Sequence, residues 1–159
     1  MDPSLDLQVS LTSSPSTMQA QSPSTFPVTV TVHNPASSPV TVLKWGTPLD
    51  NRAGLMGIFE VCDTSTGHTL TLDTIKISRK LPPSREDLIE ISPKGTLERT
   101  VDLPRQRFRK GHEYSIRAQG LWHAIWKEPV ANVTASQLQD LTGAARGGFS
   151  SEVAIVKVD

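Results

Sequence analysis

Along most of this chain, apolar side chains recur at every second position and polar ones fill the gaps. Leu5, Leu7, Val9 and Leu11 alternate with Asp6, Gln8 and Ser10, the period of a strand with one face buried. Phe26, Val28, Val30 and Val32 repeat the pattern against Thr29, Thr31 and His33. Residues 40–45 return after a turn at 34–39, so these two runs are expected to pair as a hairpin. Further strands are expected at 57–62, 68–72, 88–91 and 97–103. In residues 111–120, Tyr114, Ile116 and Ala118 alternate with Ser115, Arg117 and Gln119.

The rhythm breaks between Trp122 and Phe149. There Thr134-Ala-Ser-Gln-Leu-Gln-Asp-Leu reads as one short helix capped by Thr134 or Ser136. The glycines of residues 143–148 read as a loosened connection, and residues 151–158 as a closing strand carrying Val153, Ile155, Val156 and Val158. The pattern is all-β: about seven to nine short strands between Pro- and Gly-marked turns, which argue for two packed antiparallel sheets. A barrel is the other closure such strands allow. The expected organisation is one domain over 1–159, with 129–149 an insertion or loop holding the short helix.

Composition narrows the function classes. Sixteen basic and sixteen acidic side chains cancel, which removes the electrostatic reason to expect a nucleic-acid partner. Arg105-Gln-Arg-Phe-Arg-Lys110 is a local cation run, read as a solvated turn. No apolar run reaches the roughly 18–20 residues of a membrane helix, so no membrane partner is expected. The first ten residues hold no signal-peptide pattern and Cys62 is the only cysteine. As written the chain reads as cytoplasmic, or as secreted if a leader has been cleaved. Asn132-Val-Thr134 is a glycosylation acceptor pattern, meaningful only in a secreted chain.

Reaction chemistry finds little support. His33, His68, His112 and His123 are scattered, without the spacing of a zinc helix. His112-Glu113 reads as a solvated pair, and Cys62, on an apolar run, as a small buried hydrophobe. No nucleophile elbow, phosphate loop or dinucleotide fingerprint is present. No catalytic residue, metal or cofactor is expected. Binding has better material: Trp122, Ala124 and Trp126 share one side if residues 121–126 are extended, and tryptophan anchors interfaces well.

The stretch Lys44-Trp-Gly-Thr-Pro-Leu-Asp50 forms an elbow between two apolar runs. With Val30-Thr-Val-His-Asn-Pro35 before it and Ile58-Phe-Glu-Val61 after it, it resembles the N-terminal domain preceding deuterolysin-type and lysine-specific zinc metallopeptidases of fungi and bacteria. The likeness continues through residues 91–95, 100–103, 111–117 and 120–126. It implies an immunoglobulin-like sandwich that acts as a propeptide, folding beside the peptidase and restraining it. The peptidase's zinc ligands and catalytic glutamate have no counterpart here, so no catalytic residue carries over.

The resulting expectation is a non-catalytic protein-binding module, an inhibitor or escort whose partner is a zinc metallopeptidase. Its contact residues would be Trp45, Asp50, Arg52 and Met56 of the elbow, with Trp122, His123 and Trp126. It would be a monomer, or a weak dimer through residues 5–11. The alternative is a small-molecule or enzymatic site where Trp122, His123, Trp126 and Arg146 border the 129–149 insertion.

Overall fold

The two-residue period builds two facing layers. The structure, a computed structural model, describes residues 7–12, 17–18, 25–72, 74–104, 108–109 and 111–158. Leu5, Arg105, Arg107, Lys110 and the side chains of Phe26 and Val158 lie outside the described residues, and with them most of the cation run.

The smaller layer is antiparallel, in the order β1 (Gln8–Thr12), β3 (Thr25–His33), β8 (Thr96–Pro104). Val9 lies opposite Val32, Leu11 opposite Val30 and Val28 opposite Val101. These side chains face the other layer, and Val28, Val30 and Val32 are almost completely buried. Each such burial contributes about 1.5–3 kcal/mol. Arg99, on the same strand as Val101, is exposed.

The larger layer is built on β9 (Glu113–Trp126), fourteen residues long. Its first half is flanked by β5 (Phe59–Asp63) and β11 (Ala154–Val158). Its second half is flanked by β4 (Val40–Leu43) and β10 (Ala145–Ser150). Each side of β9 is thus shared by two strands in series. β7 (Leu88–Ile91) pairs with β4 at the edge, β6 (Thr69–Leu70) pairs with β5, and β2 (Thr17–Met18) adds to β11 in parallel. Side chains of both layers meet in one core that includes Val30, Val61, Tyr114, Ile116 and Trp122. The architecture is the expected antiparallel sandwich, with eleven strands among the described residues, two of them only two residues long.

Three expectations change. Residues 34–39 do not close a hairpin: β3 and β4 belong to different layers. Asn34 drives the crossing. Fully buried, its amide donates to the carbonyls of Ser38, Ile91 and Ser92 while its oxygen accepts from the Ala36 N–H. Residues 143–148 do not simply loosen the chain, since most of them form β10 against β9. Gly120 makes room there for the Phe149 ring, whose atoms lie about 3 Å from where a β-carbon would stand. Cys62 is half-buried on the side of β5 that also carries Glu60, away from the core side chains Phe59 and Val61.

Of the expected insertion 129–149, residues 145–149 belong to β10, and residues 129–144 cover the far end of the larger sheet. A 3-10 turn at Val130–Asn132 leads into α1 (Ala135–Asp140). Thr134 caps α1 reciprocally with Gln137: its hydroxyl accepts from the Gln137 N–H at 3.1 Å, and Gln137 accepts from the Thr134 N–H at 2.8 Å. Val133 and Leu138 join Leu43, Leu88, Ala124 and Trp126 in a second apolar cluster. The Trp126 indole N–H donates to the Thr142 carbonyl at 2.9 Å and ties the segment down.

Candidate functional site

The elbow is organised by one carboxylate. Asp50 accepts from the Gly46 N–H at 2.9 Å and the Arg52 N–H at 3.0 Å. Arg79 closes on the same group with two bonds, at 2.9 and 3.1 Å. The Asp50 side chain is only 3% exposed, and that burial pushes its pKa up. The Arg79 bonds, the two backbone N–H groups and the Arg79 charge outweigh it and hold the carboxyl below its ordinary value. Arg79 also lies over the Trp45 ring, 5.6 Å from its centre. Gly46 sits at φ +67, a conformation that favours glycine, and a β-carbon there would stand 3.1 Å from His123 Nε2. Gly54 is equally constrained, because a β-carbon would fall 2.0 Å from the Asp102 carbonyl oxygen.

His123 reaches the elbow because β9 bulges. Ala145 pairs with Ile125 but Gly147 pairs with Trp122, so His123 and Ala124 together oppose Arg146. The extra residue changes which face each side chain takes. Trp122 and Ile125 enter the main core, whereas Ala124 and Trp126 enter the second cluster. His123 and Arg146 are left beside Trp45 and Gly46, lining a cleft of about 500 Å³. Met56, Ile77, Leu81 and Leu141 supply apolar lining, and Asp140 stands among the lining residues.

Charge in this region is unevenly matched. Arg146 is exposed and has no ion-pair partner among the described residues. His123 makes no side-chain hydrogen bond among them, and burial, reinforced by the Arg146 charge, lowers its pKa. It is therefore held neutral at pH 7. A second hollow of about 310 Å³ shares Trp45 and Arg79 with the cleft and is lined also by Lys44, Arg52 and Lys80 with Asp50 and Asp87. Asp50 is taken up by Arg79, and Asp87 accepts from the Ser84 N–H at 3.0 Å.

The opposite end of β9 holds a different polar group. His112 Nδ1 lies 2.7 Å from an Asp63 oxygen, beside a hollow of about 280 Å³ lined also by His68, Arg109 and Tyr114. The hydrogen bond from His112 lowers the Asp63 pKa. Thr64 donates to Glu113 at 3.0 Å, and the Tyr114 hydroxyl accepts from the Arg109 N–H at 2.6 Å. So His112 and Glu113 are not a solvated pair; each has a partner on β5 or the turn after it. Among the described residues no three His, Cys, Asp or Glu side chains converge to hold a metal.

A family model of immunoglobulin-like domains matches residues 6–158. The chain belongs to the immunoglobulin-like domain family. It is also similar to an uncharacterized secreted protein of Arthroderma benhamiae, with 42% identity over 121 residues. That alignment takes in 74% of this chain and 61% of the relative's length. No helix among the described residues is long and apolar enough to cross a membrane.

The immunoglobulin-like domain gathers only some of the residues singled out from sequence. Trp45, Met56 and His123 meet at the cleft. Arg52 is exposed and lies outside it, lining the hollow beside Lys44 and Lys80 and another of about 260 Å³ with Asp102. Asp50 is consumed in shaping the elbow. Trp122 and Trp126 form no ridge: each is 1% exposed, so no partner at the surface can touch them. The bulge is the reason, since it sends one indole to each side of the sheet and buries both. Arg79, Ile77, Leu81 and Leu141 were not singled out. The first three sit in an irregular segment whose sequence carries no periodic signal, and Leu141 is the left-handed C-cap residue of α1.

Proposed function

We propose that this immunoglobulin-like domain is a non-catalytic recognition module that takes an acidic segment of a protein partner across the elbow. The observation that carries the reading is the setting of Trp45, which lines both an apolar cleft and a cation-rich hollow. Lys44, Arg52, Lys80 and Arg146 have no ion-pair partners among the described residues. A half-buried indole flanked by free cations suits an apolar anchor with carboxylates beside it. The resemblance to metallopeptidase propeptides makes a deuterolysin-type zinc peptidase the first partner to test, and the secreted relative supports an extracellular setting.

The test is titration of the chain against such peptidases, following both binding and inhibition. Saturable micromolar binding that Trp45→Ala and Arg146→Glu weaken is the expected result. Failure of every peptidase of that class to bind would remove this partner.

A second reading follows from the cleft's size, which lies within the roughly 300–1,000 Å³ of small-ligand pockets. A small apolar acid would then be the ligand. Calorimetry with aromatic and aliphatic carboxylic acids separates the two readings, because only this one gives heat without a protein partner.

A further inference from the structure

We infer that Asn132 is an N-glycosylation site, carrying an oligosaccharide beside the open edge of the larger sheet. The chain has three asparagines. Asn34 is followed by proline and buried, and Asn51 is followed by Arg-Ala. Only Asn132 stands in an Asn-x-Thr frame with a residue other than proline between.

The local structure suits the modification. Asn132 ends the Val130–Asn132 turn with its side chain exposed, and its amide makes no hydrogen bond to any described residue. Its backbone N–H is satisfied by the Pro129 carbonyl at 2.9 Å. The turn is anchored on both sides of the asparagine, because Arg85 donates to the carbonyls of Val130 and Val133. Val133 is fully buried. A sugar on Asn132 Nδ2 therefore displaces no native contact and projects outward from a fixed base. The Val130 N–H donates to Glu90 of β7 at 2.8 Å, and among the described residues β7 pairs only with β4. A bulky, hydrated group beside such an edge hinders another strand from adding to it.

The reaction draws on a lipid-pyrophosphate-linked oligosaccharide of the secretory pathway. Asn132 Nδ2 attacks the anomeric carbon and a C–N bond forms. The C–O bond to the pyrophosphate breaks, the leaving group keeps the electron pair, and the amide gives up one proton. Thr134 completes the acceptor in the unfolded chain and turns to capping α1 after folding.

This inference rests on secretion, not on the partner proposed above. The test uses the protein recovered from the culture fluid of the organism that encodes it, analysed by peptide mass spectrometry before and after amidase deglycosylation. The expected result is a heterogeneous hexose-rich mass on the Asn132 peptide, removed by the amidase with conversion of Asn132 to aspartate. In a secreting eukaryotic host, Asn132→Gln is expected to lose that mass and keep the tryptophan near-ultraviolet dichroism of the parent. A bare Asn132 in secreted protein overturns the site. Absence of the chain from the culture fluid overturns it too, by removing the pathway.

Discussion

The two ends of β9 carry similar side chains and put them to opposite use. At the Tyr114 end, histidine meets aspartate, threonine meets glutamate and a tyrosine hydroxyl meets a backbone N–H. At the Trp126 end, Asp50 and Arg79 satisfy each other, but His123 and Arg146 line the cleft with no side-chain hydrogen-bond or ion-pair partner among the described residues. Buried and half-buried polar groups are normally matched within a fold. Where they are matched they serve shape, and where they are left open beside an indole they are available to something else. By that standard the His112–Asp63 pair is a brace, although a histidine beside an aspartate is what a search for catalysis would stop at.

The comparison can be broken in several places. Trp126→Ala is the most damaging change, because it empties the second cluster and releases Thr142 together. It is expected to cost about 3–5 kcal/mol in urea unfolding. Asp50→Ala comes next, at about 3 kcal/mol, since it strands Arg79 and two backbone donors. A loss there no greater than that of an ordinary surface substitution would show that Asp50 does not organise the elbow.

Trp45 packs against the second cluster and lies under Arg79, so Trp45→Ala is expected to cost less stability than either change above while weakening partner binding by about 2 kcal/mol, roughly thirtyfold in Kd. Equal loss of stability and binding would make Trp45 part of the scaffold. At the paired end, His112→Ala is expected to lower stability, because it strands the Asp63 carboxylate, and to leave binding alone.

Acid separates the ends further. Asp50 and Asp63 both have pKa values below the ordinary 3.8, so each contributes stability that is present above that value and lost as pH falls through the folded one. An unfolding profile should therefore slope downward below about pH 4. Asp50→Asn should flatten part of that slope, and His112→Ala another part. His123, lowered from 6.5, acts in a higher window: the unfolded chain takes up its proton first, so stability declines slightly as pH falls from 6.5. A bound carboxylate would favour the protonated imidazole, so ligand affinity should rise over the same interval, and His123→Gln should remove the effect.

How much of this was legible in the sequence follows from what each feature rests on. The strands of the two layers announce themselves through alternation, as at Val28, Val30 and Val32. The α1 cap was readable because Thr134 and Gln137 are local partners. The elbow's turn residues were legible too, with Gly46 at the bend. What escaped depends on distant or irregular chain. Arg79 finds Asp50 across 29 positions, in a segment without period. The crossing at Asn34 rests on carbonyls of residues 91 and 92, so a local reading supplied a hairpin instead. β10 hid behind its glycines, although Phe149 among them marked a residue needing cover. Neither the bulge nor its consequence for the tryptophans leaves a trace in hydrophobicity, since both faces at that end are apolar.

That bulge makes the protein sensitive to counting. Regular pairing of β9 with every residue kept, and none doubled opposite Arg146, would restore strict alternation downstream, turning Trp126 toward the space Trp122 already fills and lifting Ile125 out of it. Thr142 would lose its anchor, and the covering segment would be left over a floor of the wrong shape. Two indoles of the same chemistry can share this strand only because one residue too many stands between them.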